Sequence, residues 1–232
     1  MKAEAILVAG GQGTRMGSIV PKQLHKLGRA TILEHTLSPF LECRDIQSIV
    51  IVAATNIFEH IEGLVQERFT EAKPIAVVHG GSRRQDSVYK GLMALKRDTD
   101  IVAVHDSVRP FITPELITDC LRRAENFGAV SVMRPLKETV KRVQDRTVIE
   151  TPERSTLWIT QTPQAFRKEL ILEAHNQAEK HGYTGTDDCM LVERLGHTVH
   201  VIEGSDINIK ITTQTDLAVA ETILKLFENG RA

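Results

Sequence analysis

A short apolar run that leads directly into a glycine-rich, cationic loop is the feature that most limits how this chain folds. The run ends at residue 9, and three glycines and two cations follow it: Gly10, Gly11, Gly13, Arg15 and Lys22. Because glycine lacks a Cβ, the backbone of such a loop can approach a phosphate and direct its N–H groups toward it. The pattern predicts a strand whose loop grips a nucleotide triphosphate. The alternative is a tight turn closing a βα unit, with both cations solvated.

The spacing of the glycines argues against two other nucleotide-binding motifs. A dinucleotide fingerprint needs a third glycine three residues after Gly13, but Met16 stands there and Gly17 comes one residue late. No Gly-Lys-Ser/Thr sequence ends the loop, which argues against a P-loop.

The composition is that of a globular protein without a dominant charge. Of 232 residues, 41% are hydrophobic and 25% are charged, which suits one α/β domain. The formal net charge of -1 provides no general attraction for nucleic acid or an anionic membrane. Three widely spaced cysteines indicate reduced thiols that fill the core, and the short apolar N-terminal run resembles neither a signal peptide nor a membrane span. We therefore expect a cytoplasmic protein with no nucleic-acid or membrane partner.

Short β-branched or apolar runs alternate with helical patterns along the chain. The predicted strands cover residues 5–9, 49–54, 75–78, 101–104 and 129–133. Helices are expected after three N-capping threonines, Thr31, Thr113 and Thr213. This alternation predicts an α/β fold, a Rossmann-like doubly wound and mostly parallel sheet with helices on both faces.

One segment departs from the alternation. Residues 138–151 alternate polar and β-branched side chains, with too few apolar residues for a core face. They predict a protruding two-stranded β-arm, at about 136–153, inserted into a single domain that spans residues 1–232. An isolated hairpin is marginal in water, so we expect the arm to lie against a second copy of the chain. The alternative is a simple mobile insertion.

Polar residues follow the predicted strands, where open α/β sheets bind ligands. The loop 79–87 contains a second run of small residues that could face a flat base, and Asp106 is suited to hold a Mg²⁺ that bridges phosphates. Its alternative role is to cap a turn. Arg109, Arg154 and Lys210 suit a second, phosphorylated substrate, although each cation taken alone could be a solvated surface charge.

With these segments in order, the chain resembles the 2-C-methyl-D-erythritol 4-phosphate cytidylyltransferases of the non-mevalonate isoprenoid pathway, nearly from end to end. The resemblance lies in residues 9–16 (AGGQGTRM), 21–23 (PKQ), 80–81 with Arg84 and 86–88, 104–110 (VHDSVRP), 137–142 (KETVKR), Arg154 with 157–158, 161–164 (QTPQ), 185–188 (GTDD) and 208–210 (NIK).

The resemblance implies transfer of a cytidylyl group from CTP to 2-C-methyl-D-erythritol 4-phosphate, with release of pyrophosphate. It implies catalytic roles for Arg15, Lys22 and Lys210, and nucleotide binding by Ala9, Gly10, Gly11, Gly13, Gly80, Gly81, Ser82 and Ser87. It implies substrate binding by Ser107, Arg109, Thr139, Arg154 and Thr162, and binding of Mg²⁺, or another divalent cation, by Asp106. Thr139 and Arg154 would come from the other subunit of a homodimer, which agrees with the predicted arm.

Two other functions remain open from the residues. The Ala-Gly-Gly form at residues 9–11 is shared with ribitol 5-phosphate cytidylyltransferases, although residues 137–142 and 154–158 resemble the methylerythritol enzymes. The second is a nucleotide-binding module without turnover, against which Arg15, Lys22, Asp106 and Lys210 together argue. Asp187 and Asp188 are interpreted first as the N-terminus of a helix after Thr186, and the alternative is a direct catalytic role.

Overall fold

A computed structural model describes residues 1–11, 20–69 and 73–228 of the chain. Its strands are β1 (Ala3–Ala9), β2 (Lys26–Leu27), β3 (Ala30–Thr31), β4 (Ile46–Ala53), β5 (Ile75–His79), β6 (Ile101–Asp106), β7 (Ala129–Pro135), β8 (Arg142–Gln144), β9 (Thr147–Glu150), β10 (Trp158–Arg167) and β11 (His200–Glu203). Its α-helices are α1 (Ile32–Glu42), α2 (Phe58–Arg68), α3 (Arg84–Ala94), α4 (Pro114–Phe127), α5 (Lys168–Lys180), α6 (Asp188–Arg194) and α7 (Gln214–Glu228).

Seven strands form the central sheet, in the order β11-β7-β10-β6-β1-β4-β5. Strand β10 runs antiparallel to both its neighbours, β6 and β7, and the remaining pairs are parallel. The five predicted strands are confirmed as β1, β4, β5, β6 and β7. The sequence interpretation missed β10 and β11 as strands, because β10 carries the polar run 161–164 in its middle, which lacks the apolar signature of a buried strand.

Helices cover both faces of the sheet, as predicted. Alternate residues of β1 point to opposite faces: Leu7 belongs to the core under α1, α2 and α4, and Ile6 to the core under α3, α5 and α6. The α/β, doubly wound architecture is therefore confirmed. All three cysteines are buried in these two cores and unpaired, as core-filling residues are expected to be.

The predicted helix starts are confirmed by their hydrogen bonds. The Thr31 side chain accepts from the Glu34 amide at 3.2 Å, and the Glu34 carboxylate accepts from the Thr31 amide at 2.6 Å, which completes a capping box. The same reciprocal pattern joins Thr213 and Asp216 at the start of α7, and Thr113 caps α4. Local sequence therefore decides where these helices begin.

A third, smaller apolar cluster attaches α7 to the rest of the fold. Ala220 and Ile223 of α7 pack with Leu27, with Val108 from the segment after β6, and with Ile211. The Ile211 amide donates to the Val108 carbonyl at 2.9 Å. This packing brings the segment around residue 210 to the carboxyl end of β6.

The segment 142–150 forms the predicted two-stranded arm, which pairs with itself and not with the central sheet. Its turn uses Asp145 and Arg146 at φ 47° and 62°, a conformation that suits a tight hairpin. Val143, Val148 and Ile149 on the arm are each more than half exposed. The arm therefore presents apolar surface that this chain does not cover in the described structure.

Within the described ranges, none of the helices is both long enough and apolar enough to cross a lipid bilayer.

Candidate functional site

A cleft of about 870 Å³ lies at the carboxyl ends of β1 and β6, beside the loop that follows β5. Many of the residues predicted from the sequence line it. They are Gly10, Gly11, Lys22, Gly80, Gly81, Ser82, Ser87, Asp106, Ser107 and Lys210. Open α/β sheets bind ligands at this edge, so the fold brings the predicted nucleotide and substrate residues to one place.

Lys22 is held at the first glycine loop by its neighbour Gln23. The Gln23 side-chain amide is buried and donates to the Ala9 carbonyl at 2.9 Å and to the Gly11 carbonyl at 3.1 Å. A Cβ on Gly11 would lie 3.3 Å from the Lys22 Cε, so the absence of a side chain lets Lys22 lie against the loop. The predicted Ala9 is the buried end of β1, and its carbonyl serves this contact. Gly13 and Arg15 lie outside the described residues.

The two glycine loops meet at Ser87. The Gly81 amide donates to the Ser87 Oγ at 3.0 Å, and this hydroxyl donates to the Arg83 carbonyl at 3.0 Å. A Cβ on Gly10 or on Gly80 would lie 3.0 Å from the same Oγ. Both loops therefore pack closely against Ser87, and their glycines line the wall of the cleft.

Asp106, the last residue of β6, lies among three cations. Its Oδ2 is 2.7 Å from the Lys210 Nζ and 3.6 Å from the Arg109 Nε, and its Oδ1 is 3.4 Å from the Arg84 Nε. Burial alone would raise the pKa of Asp106, but Arg84, Lys210 and Arg109 hold it well below its usual range. Asp106 is therefore an ionised carboxylate within a cationic site.

Lys210 reaches Asp106 because its segment is tied down on both sides. The Arg109 guanidinium donates to the Asn208 carbonyl at 2.7 Å, and the Asn208 side chain donates to the Thr162 carbonyl at 3.0 Å. The Ile211 amide bonds to the segment after β6, as described above. Residues close to 106, 162 and 210 thus form one hydrogen-bonded unit.

Thr162 lies behind the cleft wall and not in it. Its Oγ1 accepts from the Asp106 amide at 3.1 Å and contacts the His105 Nδ1 at 3.0 Å, and the His105 Nε2 contacts the Arg109 carbonyl at 3.1 Å. Since a carbonyl can only accept, Nε2 carries the proton, and the Thr162 hydroxyl donates to Nδ1. Burial lowers the pKa of His105 to about 4, which keeps the ring neutral. The Thr162 hydroxyl proton is therefore used inside the protein.

The sequence interpretation assigned no role to Arg84, which also lines the cleft. Its Nη1 lies 2.7 Å from the Asp188 Oδ2, and the other oxygen of Asp188 lies 3.3 Å from the His175 Nε2. Asp187 caps α6 by accepting from the Met190 amide at 2.9 Å, which confirms the predicted helix start. The signal in the sequence that points to Arg84 is its position at the start of a helix that follows a glycine pair.

Thr139 and Arg154 do not line this cleft. Both are exposed, and Arg154 donates from Nη1 to the Lys137 carbonyl at 2.8 Å. They lie in the segments that flank the arm, so the described chain alone does not bring them to Asp106.

Comparison with known proteins agrees with this arrangement. The sequence profile of the family described as 2-C-methyl-D-erythritol 4-phosphate cytidylyltransferase matches residues 3–226. The protein of that name from Alkaliphilus oremlandii is 44% identical over 231 residues, which are 99% of this chain and 98% of that protein. Its counterpart from Caldanaerobacter subterraneus is 40% identical over 226 residues, which are 97% of this chain and all of that protein (100%).

Solved structures give the same result. The 4-diphosphocytidyl-2C-methyl-D-erythritol synthase of Anaerococcus prevotii matches with a TM-score of 0.86 and 32% identity, covering 97% of this chain and 96% of that one. The cytidylyltransferase of Thermus thermophilus matches with a TM-score of 0.77 and 28% identity, covering 97% and 100%. With a matching family profile and relatives of 40–44% identity along nearly the whole length, this chain belongs to the 2-C-methyl-D-erythritol 4-phosphate cytidylyltransferase family of nucleotidyltransferases.

Proposed function

We propose that the cleft transfers a cytidylyl group from CTP to 2-C-methyl-D-erythritol 4-phosphate and releases pyrophosphate. The observation that carries this proposal is the meeting of Lys22 and Lys210, from opposite ends of the chain, in one cleft with Asp106. Two polyanions can approach each other only where fixed positive charge offsets their repulsion. The family membership supplies the identity of the two reactants.

The nucleotide would lie along the two glycine loops. Gly10, Gly11 and Gly13 would bring backbone close to the phosphates, next to Ala9. Gly80, Gly81, Ser82 and Ser87 would face the base, and their place in the lining of the cleft supports this. A flat base suits a wall built from glycines and small side chains.

The reaction needs no nucleophile from the protein. An oxygen of the substrate phosphate attacks the α-phosphorus of CTP in line, a bond forms between them, and the bond to pyrophosphate breaks. Arg15, Lys22 and Lys210 would act as catalytic cations that stabilise the charge on the pentacoordinate phosphorus. Positioning and electrostatics are thus the whole contribution of the chain.

Asp106 would hold a Mg²⁺ or another divalent cation. The donor set fits, because the carboxylate is ionised and lines a cleft sized for phosphates, and Mg²⁺ commonly takes one or two protein carboxylates and completes its shell with water and substrate oxygens. When bound, the metal ion neutralises phosphate charge. Because Lys210 lies 2.7 Å from Asp106, the incoming phosphates would have to draw this ammonium toward themselves.

The acceptor phosphate would lie beside Asp106, with Ser107 and Arg109 as its nearest partners. Arg109 is largely buried and held by Asn208 and Asp106, so it would present a fixed guanidinium. Thr162 would contribute by orienting the Asp106 backbone and not by donating to the substrate, because its proton is engaged by His105.

Thr139 and Arg154 would serve the cleft of a second copy of the chain, joined through the arm at residues 136–153. The exposed apolar residues of the arm support a homodimer of this kind. We further infer that residues 1–232 form one domain and act in the cytoplasm.

A pyrophosphate-release assay tests the proposal. The protein is incubated with Mg²⁺ and with CTP, UTP or ATP in turn, against methylerythritol phosphate and ribitol 5-phosphate as acceptors. We expect release with CTP and methylerythritol phosphate. Preference for ribitol 5-phosphate as acceptor would indicate a ribitol 5-phosphate cytidylyltransferase instead. Binding of CTP without pyrophosphate release with either acceptor would indicate a nucleotide-binding module.

A further inference from the structure

Arg84 contacts two carboxylates that both belong to the interior of the protein. Its Nη1 lies 2.7 Å from the Asp188 Oδ2, whereas its Nε lies 3.4 Å from the Asp106 Oδ1. The side chain of Asp188 is 1% exposed and that of Asp106 is 9% exposed. The two contacts are unequal: the guanidinium makes a short hydrogen bond to Asp188 and only a long one to Asp106.

Asp188 is fixed from several directions. Its amide donates to the Gln164 Oε1 at 3.2 Å, and its Oδ1 lies 3.3 Å from the His175 Nε2. Burial opposes its ionisation, but Arg84 and His175 keep the pKa of Asp188 below its usual value. Asp188 is therefore a rigid anionic anchor behind Arg84 and outside the cleft.

The two oxygens of Asp106 differ in their surroundings. Oδ2 is engaged by Lys210 at 2.7 Å, with Arg109 at 3.6 Å, while Oδ1 has the long contact to Arg84. An arginine free to pair with a carboxylate normally closes on both oxygens in a bidentate contact at about 2.7–2.9 Å. Arg84, which is also paired with Asp188, does not make such a contact with Asp106 in this structure.

We propose, building on the function proposed above, that Asp188 is a positioning residue that holds the Arg84 guanidinium back from Asp106, so that Oδ1 stays available to a divalent cation. Without the charge of Asp188, Arg84 has one remaining buried carboxylate, and it closes on Asp106. The guanidinium then competes with the cation for the same oxygen. Asp188 thus sets the affinity of the site for metal without touching metal or substrate.

The first test measures metal binding without turnover. Mn²⁺ binding to the protein in the presence of CTP, and without acceptor, is followed by electron paramagnetic resonance. We expect Asp188→Asn to raise the dissociation constant for Mn²⁺ about tenfold, which is the effect of about 1.4 kcal/mol. The matched control is Asp187→Asn, at the neighbouring position. Asparagine can still cap α6, so this variant should bind Mn²⁺ like the wild type.

The double variant Arg84→Gln/Asp188→Asn separates positioning from a structural role. Because it removes the competing guanidinium, we expect Mn²⁺ affinity to return toward that of the wild type, even if the double variant melts at a lower temperature. Failure of Arg84→Gln to restore affinity overturns the proposal, as does an Asp188→Asn protein that loses stability and binds Mn²⁺ normally.

A crystal structure of metal-free Asp188→Asn provides the direct readout, with Arg84 expected to contact both oxygens of Asp106. An Arg84 side chain left in its original place contradicts the proposal. Should Asp188→Asn fail to fold, Arg84→Gln alone is expected to bind Mn²⁺ at least as tightly as the wild type, and weaker binding contradicts the proposal. A wild-type protein that binds Mn²⁺ with CTP but releases no pyrophosphate refutes the proposed reaction and leaves this proposal standing on its binding data.

Discussion

The cleft and the arm differ in whether their side chains find contacts within the same chain. In the cleft, Asp106 is buried among Arg84, Arg109 and Lys210, and each of these contacts comes from the same chain. In the arm, Val148 and Ile149 are 55% and 57% exposed, and the hairpin pairs with itself alone. The apolar surface of an isolated hairpin normally packs against another part of the protein or against a partner protein.

The difference shows which parts of the site one chain can assemble. Packing of α7 and the segment 208–211 places Lys210 beside Asp106, so the described residues of this half come together within a single chain. Thr139 and Arg154 belong to the exposed segments beside the strands of the arm, and neither lines the cleft of its own chain. A complete site, as we propose it, needs two copies.

The largest expected effect concerns the half that one chain completes. Lys22→Ala should lower kcat about 10²–10³-fold, or about 3–4 kcal/mol, because a preorganised cation at the reacting phosphorus is removed. Steady-state pyrophosphate release measures the change. Lys26→Ala, which removes a nearby exposed lysine, serves as the control and should retain wild-type turnover. A folded Lys22→Ala protein with nearly normal kcat would disprove the catalytic assignment.

The next prediction tests whether the second half comes from another copy. Arg154→Ala alone should weaken use of methylerythritol phosphate, and mixing it with inactive Lys22→Ala protein should restore about a quarter of the wild-type activity. Random exchange places half of the subunits in mixed dimers, and each mixed dimer has one intact site. The measurement is activity after co-refolding, with each variant refolded alone as the control. If mixtures recover nothing, Arg154 acts within its own chain.

The arm itself gives a smaller effect on association. Replacing Val148 and Ile149 by aspartate should raise the dimer dissociation constant at least about tenfold, since burying one such side chain contributes about 1.5–3 kcal/mol. Analytical ultracentrifugation measures the change. The control is Met93→Asp, which alters an equally exposed apolar residue on α3 far along the chain from the arm. Unchanged association in the arm variant would argue for a simple insertion.

The smallest expected effect concerns the ion pair between Arg83 and Asp86 at the start of α3, beside the cleft. The Asp86 carboxylate accepts hydrogen bonds from the Arg83 side chain and, less strongly, from Ser82, which lowers its pKa to about 2. Since the folded value lies below the unfolded value of 3.8, the stabilisation is full above about pH 4 and is lost as the pH falls toward 2. Asp86→Asn should therefore cost about 1 kcal/mol of unfolding free energy at neutral pH, after solvent screening.

Urea unfolding of the wild type and Asp86→Asn across this pH range gives the comparison. The difference between them should shrink as the pH decreases below about 4. Asp119→Asn, at an exposed pair with Arg123 on α4, should show little difference at neutral pH. A constant difference for Asp86→Asn at all pH values would mean that its charge is not the stabilising factor.

Much of the fold could be predicted because its signals are local. The threonines that begin α1, α4 and α7 satisfy amide groups within four residues, and the apolar runs of β1, β4 and β6 are continuous because both faces of these strands are buried. Strand β10 could not be identified in the same way. Its polar residues Gln161, Thr162 and Gln164 are buried because partners distant in sequence satisfy them.

The sequence by itself determined five strands of the central sheet, the capped helix starts, the glycine loops, the self-paired arm and the membership of a cytidylyltransferase family, because each depends on residue types at short spacing. Tertiary structure alone decided that Lys210 contacts Asp106 and that the Thr162 hydroxyl donates to His105. It also decided that Arg84 contacts both Asp106 and Asp188. These contacts join residues tens of positions apart, and the distances that decide them, 2.7 Å against 3.4 Å, follow from packing and not from residue type.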